Sequence, residues 1–331
     1  MPLKITVIIP HRIGENIEKT LEGVYLSNYP KENIEIFQAE GTHPTVQRNE
    51  CIKQSLGDII YFIDNDSIVS ADNLKEASEI FEKDEKVAIV GGPAVHRVSS
   101  LTEMYIDKCM RSYYAVGPIA NRYRSNNVGI KEGTDRDVIL CNLFVRRDVI
   151  LKAGLFNENL YPNEENALID KILSLGYKLI YDPKILVERP PRANLKLYIK
   201  MLLNYGRGRF EQLFRDFNTK NLIFTLPALF STYIILAPVM LLLYHFFEVN
   251  IIKFYFLPLY IYAILTFFAG FFSAIEDKGI INKIIGIFVY PFMFFITHFF
   301  YGFGFFYGIL RILTKFHRIA KFSIKKYKSF G

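Results

Sequence analysis

From residue 222 to residue 310 the chain holds only six charged residues, Glu248, Lys253, Glu276, Asp277, Lys278 and Lys283. So long a run with so little charge does not belong to the surface of a water-soluble domain. It breaks into three apolar blocks, about 222–247, 252–274 and 284–310. Each exceeds the roughly 20 residues needed to cross a bilayer's hydrocarbon core. Pro227, Pro238, Pro258 and Pro291 permit bent or re-entrant segments there. The first 220 residues have ordinary soluble composition, so the expected arrangement is a soluble front and a membrane back. Residues 194–214 are amphipathic and suit the water–lipid interface.

The 331 residues carry a net charge of +7. Seven Lys and Arg and no acid fall in the last 21 residues, directly after an apolar block. That placement reads as contact with anionic membrane lipids, and no nucleic-acid partner is expected. Topology does not close. A cytoplasmic front with three full spans puts the basic tail outside, against the positive-inside tendency. Cys51, Cys109 and Cys141 are odd in number and fit no disulfide or metal spacing. They read as small buried residues in a reducing cytosol. No signal peptide is legible at the N-terminus, so the expected location is the cell membrane, multi-pass, with the front domain cytoplasmic.

In the front, short apolar runs alternate with helical patterns. Strands are expected at 4–10, 34–39, 57–63, 87–90, 138–145 and 178–181. Helices are expected at 16–26, 45–55, 73–83, 101–115, 147–154 and 163–175. The alternation implies an α/β fold with a mostly parallel sheet and ligands at the carboxyl ends of its strands. The third run, Gly57-Asp58-Ile59-Ile60-Tyr61-Phe62-Ile63, stops at Asp64-Asn65-Asp66-Ser67. Strand side chains alternate, so Asp64 and Asp66 leave on one side. Two such carboxylates suit a hard cation, Mg²⁺ or Mn²⁺. The alternative is a polar strand-to-loop cap.

Ile8-Ile9-Pro10, Gln47-Arg48-Asn49, the Asp64–Asp66 run, Gly91-Gly92-Pro93 and Asn163-Glu164-Glu165-Asn166 come in the order seen in family-2 glycosyltransferases. Over residues 4–215 the chain resembles that family. It resembles in particular the membrane-tailed members of exopolysaccharide and lipid-linked glycan synthesis, whose Gly-Arg-Gly-Arg segment is similar to Gly206–Arg209. The resemblance implies a GT-A fold, a nucleotide-sugar donor, a divalent metal and an inverting transfer. Position by position it implies that Pro10, Arg12, Glu15, Glu40, Arg48, Asn49 and Asp64 serve the nucleotide. Asp66 would hold the metal with Asp64, and Arg207 and Arg209 would approach the diphosphate. Glu165 would be the general base, with Glu164 the second choice. There are departures. Glu40-Gly41-Thr42-His43-Pro44 replaces the usual Asp-Gly-Ser-x-Asp, and the acidic pair is Glu-Glu. Glu188-Arg189 stands where a His is common, which leaves the third metal ligand open. A Gln-x-x-Arg-Trp sequence, the mark of one type of processive synthase, cannot occur without Trp.

The expected layout is a catalytic domain over 1–193, an interfacial segment over 194–220, a transmembrane region over 221–312 and a basic tail over 313–331. The expected activity moves a sugar from a nucleotide-sugar to a lipid-linked saccharide or polyprenyl phosphate. The rival reading is a non-catalytic membrane scaffold that keeps a nucleotide pocket.

Overall fold

The computed structural model describes residues 2–125, 129–215, 217, 219–247, 254–314 and 322–327. Most of the basic tail therefore lies outside the described residues. The chain divides into two compact units. The first takes Met1–Arg97, Pro118–Pro191 and His317–Gly331, and the second takes Val98–Gly117 and Arg192–Phe316. The division departs from the expected one twice: residues 98–117 go with the apolar part, and the tail goes with the front.

The first unit opens with β1 (Ile5–His11), α1 (Glu18–Tyr25), β2 (Ile34–Gly41), α2 (Pro44–Gln54) and β3 (Ile59–Ile63). It continues with β4 (Ile68–Val69), α3 (Asn73–Lys83), β5 (Val87–Gly91) and β6 (Ala94–His96). The chain then gives α4 (Leu101–Met110) and α5 (Tyr113–Val116) to the second unit. Back in the first come β7 (Lys131–Glu132), β8 (Asn142–Arg146), α6 (Arg147–Lys152), α7 (Glu164–Ser174), β9 (Lys178–Tyr181) and β10 (Val187–Arg189). The second unit holds α8 (Leu195–Arg215), α9 (Leu226–Phe247), α10 (Leu257–Ile275) and α11 (Ile280–Leu313), and β11 (Phe322–Tyr327) closes the first.

The main sheet has the order β11-β2-β1-β3-β8-β5-β9-β7. Every residue of β1, β3 and β5 is buried, as continuous apolar runs covered on both faces should be. The sheet is mixed rather than mostly parallel. β2, β1 and β3 are parallel, β8 is antiparallel to both β3 and β5, and β7 and β11 are antiparallel edge strands. β8 is four residues shorter at its start than expected, because Val138–Cys141 is buried as turns rather than strand. A second sheet, β4-β10-β6, sits past the end of β3 and sets the last strand's residues beside the acidic turn. Gly92 makes this possible: a Cβ there would lie 2.0 Å from the Ile185 carbonyl oxygen.

In the second unit, α9, α10 and α11 are long and apolar enough to cross a membrane. α11 packs closely on α8. A Cβ at Gly206 would lie 1.9 Å from the Tyr301 carbonyl oxygen, and one at Gly304 would lie 2.4 Å from that of Leu203.

Candidate active site

β3 ends at Ile63, and Asp64–Ser67 turns back on itself through the Ser67 amide to the Asp64 carbonyl, 3.1 Å. The buried Thr20 hydroxyl on α1 lies 2.9 Å from both the Asn65 and the Ser67 carbonyl oxygens, which fixes the turn. Asp64 and Asp66 do point the same way. The Arg189 guanidinium at the end of β10 takes both, Nη1 to Asp64 Oδ2 at 3.2 Å and Nη2 to Asp66 Oδ2 at 3.1 Å. A planar fork suits two such oxygens.

A second arginine joins this turn to the start of α7. Arg48, buried on α2, bonds Asp64 Oδ1 at 3.3 Å and Glu164 Oε1 at 3.0 Å. Residues 16 and 116 positions apart from Arg48 are thereby brought together. Glu164 is buried, and its Oε2 has no hydrogen-bond partner. Burial, then the neighbouring Glu165 charge, push its carboxyl well above the usual range, against the pull of Arg48. Glu165 keeps 12% of its side chain exposed, 3.7 Å from Arg122 Nη1. Arg122 is itself buried and donates to Asn166 Oδ1 at 2.6 Å and to the Asp135 carbonyl. It therefore orders the α7 start rather than standing in solvent.

The other expected nucleotide residues separate into two groups. Pro10 and His11 end β1, and the loop beyond is held by side chains from two directions. Glu15 accepts from the Arg12 amide at 3.0 Å and from Asn65 Nδ2 at 3.2 Å, while Glu40 accepts from the Gly14 amide at 2.9 Å. Pro10, Arg12, Glu15 and Glu40 thus meet at one loop beside the acidic turn. Asn49 faces elsewhere. It clips Phe156 through both backbone groups, 2.9 and 3.0 Å, and Glu158 at 2.9 Å. In this structure Asn49 is thus committed to packing, away from the acidic turn. Arg207 and Arg209 belong to the second unit and are committed within it. Arg209 is buried, 4.0 Å over the Phe224 ring and 3.0 Å from Gln212 Oε1, and Arg207 lies 3.8 Å from Glu211.

Sequence reasoning named Arg189 only as a departure. The signal for it was the pair of acids itself, which needs a cation, and a basic residue ending the last short strand. For a divalent ion the test is the donor set. Among the described residues no group of three or more His, Cys, Asp or Glu side chains could hold a metal. Two carboxylates still fit an ion that completes its shell with phosphate oxygens and water. Asp66 Oδ1 is buried without a partner, which leaves a donor for such an ion. All three cysteines are buried and none is near ionising. Desolvation pushes the Cys51 and Cys141 thiols up to about 12.

Residues 14–153 match the sequence profile described as glycosyl transferase family 2. The chain is 25% identical over 239 residues to the glycosyltransferase AglE of Haloferax volcanii, covering 62% of this chain and 73% of that one. It is 23% identical over 202 residues to a Methanococcus voltae protein, covering 59% of this chain and 61% of that one. That relative is a dolichyl N-acetyl-alpha-D-glucosaminyl phosphate 3-beta-D-2,3-diacetamido-2,3-dideoxy-beta-D-glucuronosyltransferase. Among solved structures, mannosyltransferase PcManGT from Pyrobaculum calidifontis, in complex with GDP-Man and Mn²⁺, aligns with a TM-score of 0.48 at 18% identity, over 65% of each chain. Over residues 14–153 the chain is thus similar to a glycosyl transferase family 2 domain, and its later helices are long and apolar enough to cross a membrane.

Proposed function

We propose that the chain is an inverting glycosyltransferase, membrane-held, that moves a sugar from a nucleotide-sugar to a lipid-linked saccharide or polyprenyl phosphate, with its catalytic unit in the cytoplasm. The observation that carries the reading is Arg48, which holds Asp64 and Glu164 in one cluster. It puts the carboxylates of two distant segments at one place, as sugar transfer requires.

Transfer needs a neutralised diphosphate, an acceptor hydroxyl that loses its proton, and both held in line. Asp64 and Asp66 would hold Mg²⁺ or Mn²⁺, which supplies positive charge to the departing diphosphate. Glu165 is the base: it reaches solvent at the start of α7, where Glu164 is sealed against Arg48. Arg48 and Arg122 fix the acidic pair, so that only one carboxylate of the two is presented to an acceptor. A single base with no covalent intermediate gives inversion. The loop of Arg12, Glu15 and Glu40 borders the same turn and serves the nucleoside. The family match and the lipid-phosphate chemistry in the name of the Methanococcus relative support donor and acceptor class.

The test is nucleotide release from a panel of nucleotide-sugars by purified protein with membrane-lipid acceptors. Glu165→Gln is expected to lower the rate by about 10²–10⁴-fold, the usual worth of a general base. Asp66→Ala is expected to lose comparable activity. Turnover equal to the parent in both variants overturns the reading. Arg189 occupying the acidic pair favours the scaffold reading, and metal-dependent nucleotide binding with no transfer to any acceptor would establish it.

A further inference from the structure

We propose that the apolar helices anchor the chain in one leaflet and do not carry it across the bilayer. This inference is independent of the transferase reading. It rests on where the chain leaves and re-enters the first unit, and on what flanks α11.

The first unit is one folded body, and β11 is an integral strand of its sheet. Phe322–Tyr327 pairs antiparallel with Ile36–Gly41 of β2, which in turn pairs with β1. The chain therefore leaves this body after Pro191 and is back in it by Phe322. A water-soluble sheet stands on one side of a membrane, so the crossings between those points are even in number. Three full spans are excluded by this pairing. Nor can the segment after α11 make up a crossing. Thr314 to Phe322 is eight peptide steps, at most about 29 Å, while a bilayer with headgroups is about 40–45 Å thick.

The neighbours of α11 then decide which helices stay. α8 carries Lys196, Lys200, Arg207, Arg209, Glu211 and Arg215 along its whole length. Charges are expensive at a bilayer centre, so a helix that carries them along its whole length lies at the interface. α11 runs beside it in the same direction. Tyr198 meets Thr297 at 2.8 Å, Gly206 abuts Tyr301, Phe210 meets Phe305 edge-on with ring centroids 6.1 Å apart, and Glu211 accepts from Arg311 at 3.2 Å. The earlier half of α11 is flanked by α4, another charged helix. Lys108 of α4 bonds buried Asp277 at 2.7 Å, whose carboxylate takes the Tyr290 hydroxyl at 3.0 Å. α11 thus follows charge-bearing helices from end to end and shares their plane.

α10 is tied to the same layer. Gly270 packs on Pro291, the Tyr262 hydroxyl meets His298 Nδ1 at 2.9 Å, and Tyr114 of α5 meets Thr266 at 2.5 Å. With α10 and α11 in the plane, an even count leaves α9 no crossing. The exposed apolar face of these helices, with Phe246, Tyr260, Phe268, Phe272 and Phe288, meets acyl chains of that leaflet.

Single cysteines introduced at Lys19, Asn250, Lys278 and Ser323 test this with a membrane-impermeant maleimide on inverted and right-side-out vesicles. The three native cysteines are buried and leave a low background. Lys19→Cys and Ser323→Cys are expected to react from one and the same side. Asn250→Cys and Lys278→Cys are expected to react from that side or only after detergent. Ser323→Cys reacting from the side opposite Lys19→Cys overturns the even count. Asn250→Cys or Lys278→Cys reacting from the opposite side overturns the one-leaflet anchor. Glu276→Cys replaces Lys278→Cys if that variant does not reach the membrane fraction.

Discussion

At the scale of single residues the site is a contest of charges. Asp64, Asp66, Glu164 and Glu165 face Arg48, Arg122 and Arg189. A divalent ion bound between Asp64 and Asp66, as proposed, would compete with the Arg189 guanidinium for Oδ2 of each. Arg189→Gln is therefore expected to raise Mn²⁺ affinity about tenfold or more, equivalent to about 1.4 kcal/mol or more. Titration followed by electron paramagnetic resonance reads this without any turnover, and equal affinity in parent and variant refutes the competition. Glu164 adds a pH signature. Its folded carboxyl titrates above the unfolded one, with burial as the first cause and Glu165 the second. Protons are thus bound more tightly in the folded state, and the associated stability is present at low pH and lost as pH rises through the folded value. Parent protein in detergent should lose melting temperature relative to Glu164→Gln between pH 5 and pH 9. Parallel curves would show that Glu164 does not titrate there. The acids were legible because Asp-x-Asp ends an apolar run and Glu-Glu starts a helix. Arg48 was legible by resemblance alone; that α2 buries Gln47, Arg48 and Asn49 is visible only in the folded chain. Arg189 was only half legible, since three residues of β10 give no periodicity to read.

Among elements, the α8–α11 contact shows what period and composition do and do not reveal. The bounds of α3 and β9 were read to the residue, and α8 and the apolar helices to within a few, since long amphipathic or apolar stretches leave few alternatives. β4, β6, β7 and β10 were not read, because strands of two or three residues are made by pairing rather than by their own sequence. Glycines set how near α8 and α11 come. Gly206→Ala would drive a methyl into the Tyr301 carbonyl, a backbone atom that cannot swing aside. Overpacking of this kind costs about 1–3 kcal/mol or more. The variant is expected to melt several degrees lower, while Gly129→Ala, with open space around it and no positive φ, should not. An unchanged melting temperature in Gly206→Ala would mean that the two helices are not in this close register.

For the whole molecule the tail is the telling piece. Composition made it a lipid-binding appendage, yet Phe322–Tyr327 completes the sheet edge, and Lys326 is a working part of the fold. Lys326 Nζ lies 2.5 Å from Glu35 Oε1, whose other oxygen takes the Thr6 hydroxyl at 2.6 Å and the Leu56 amide at 2.9 Å. A pairing between segments some 290 positions apart has no signature in local sequence. Burial alone would raise the Glu35 carboxyl. The Leu56 amide, Lys326 and Thr6 outweigh it and hold it below the usual range. A depressed folded value means stability present above the unfolded value of about 4.3 and lost as pH falls through the folded one. Removing Lys326 leaves a carboxylate that is 4% exposed short of its cation. Lys326→Ala is therefore expected to cost about 1.5–3 kcal/mol at pH 7, the range for a hydrogen bond to a charged group. The gap from the parent should close as pH falls through the parent's depressed folded value, below which Glu35 is protonated in both. Truncation before Phe322 removes the pair and also bares the β2 edge, so it should lose more than Lys326→Ala and aggregate on mild heating. Thermal unfolding of the three proteins across pH 3–8 distinguishes these outcomes. If Lys326→Ala and the truncated chain both melt with the parent at pH 7, then β11 is not part of the folded sheet, and the even count of membrane crossings loses its footing with it.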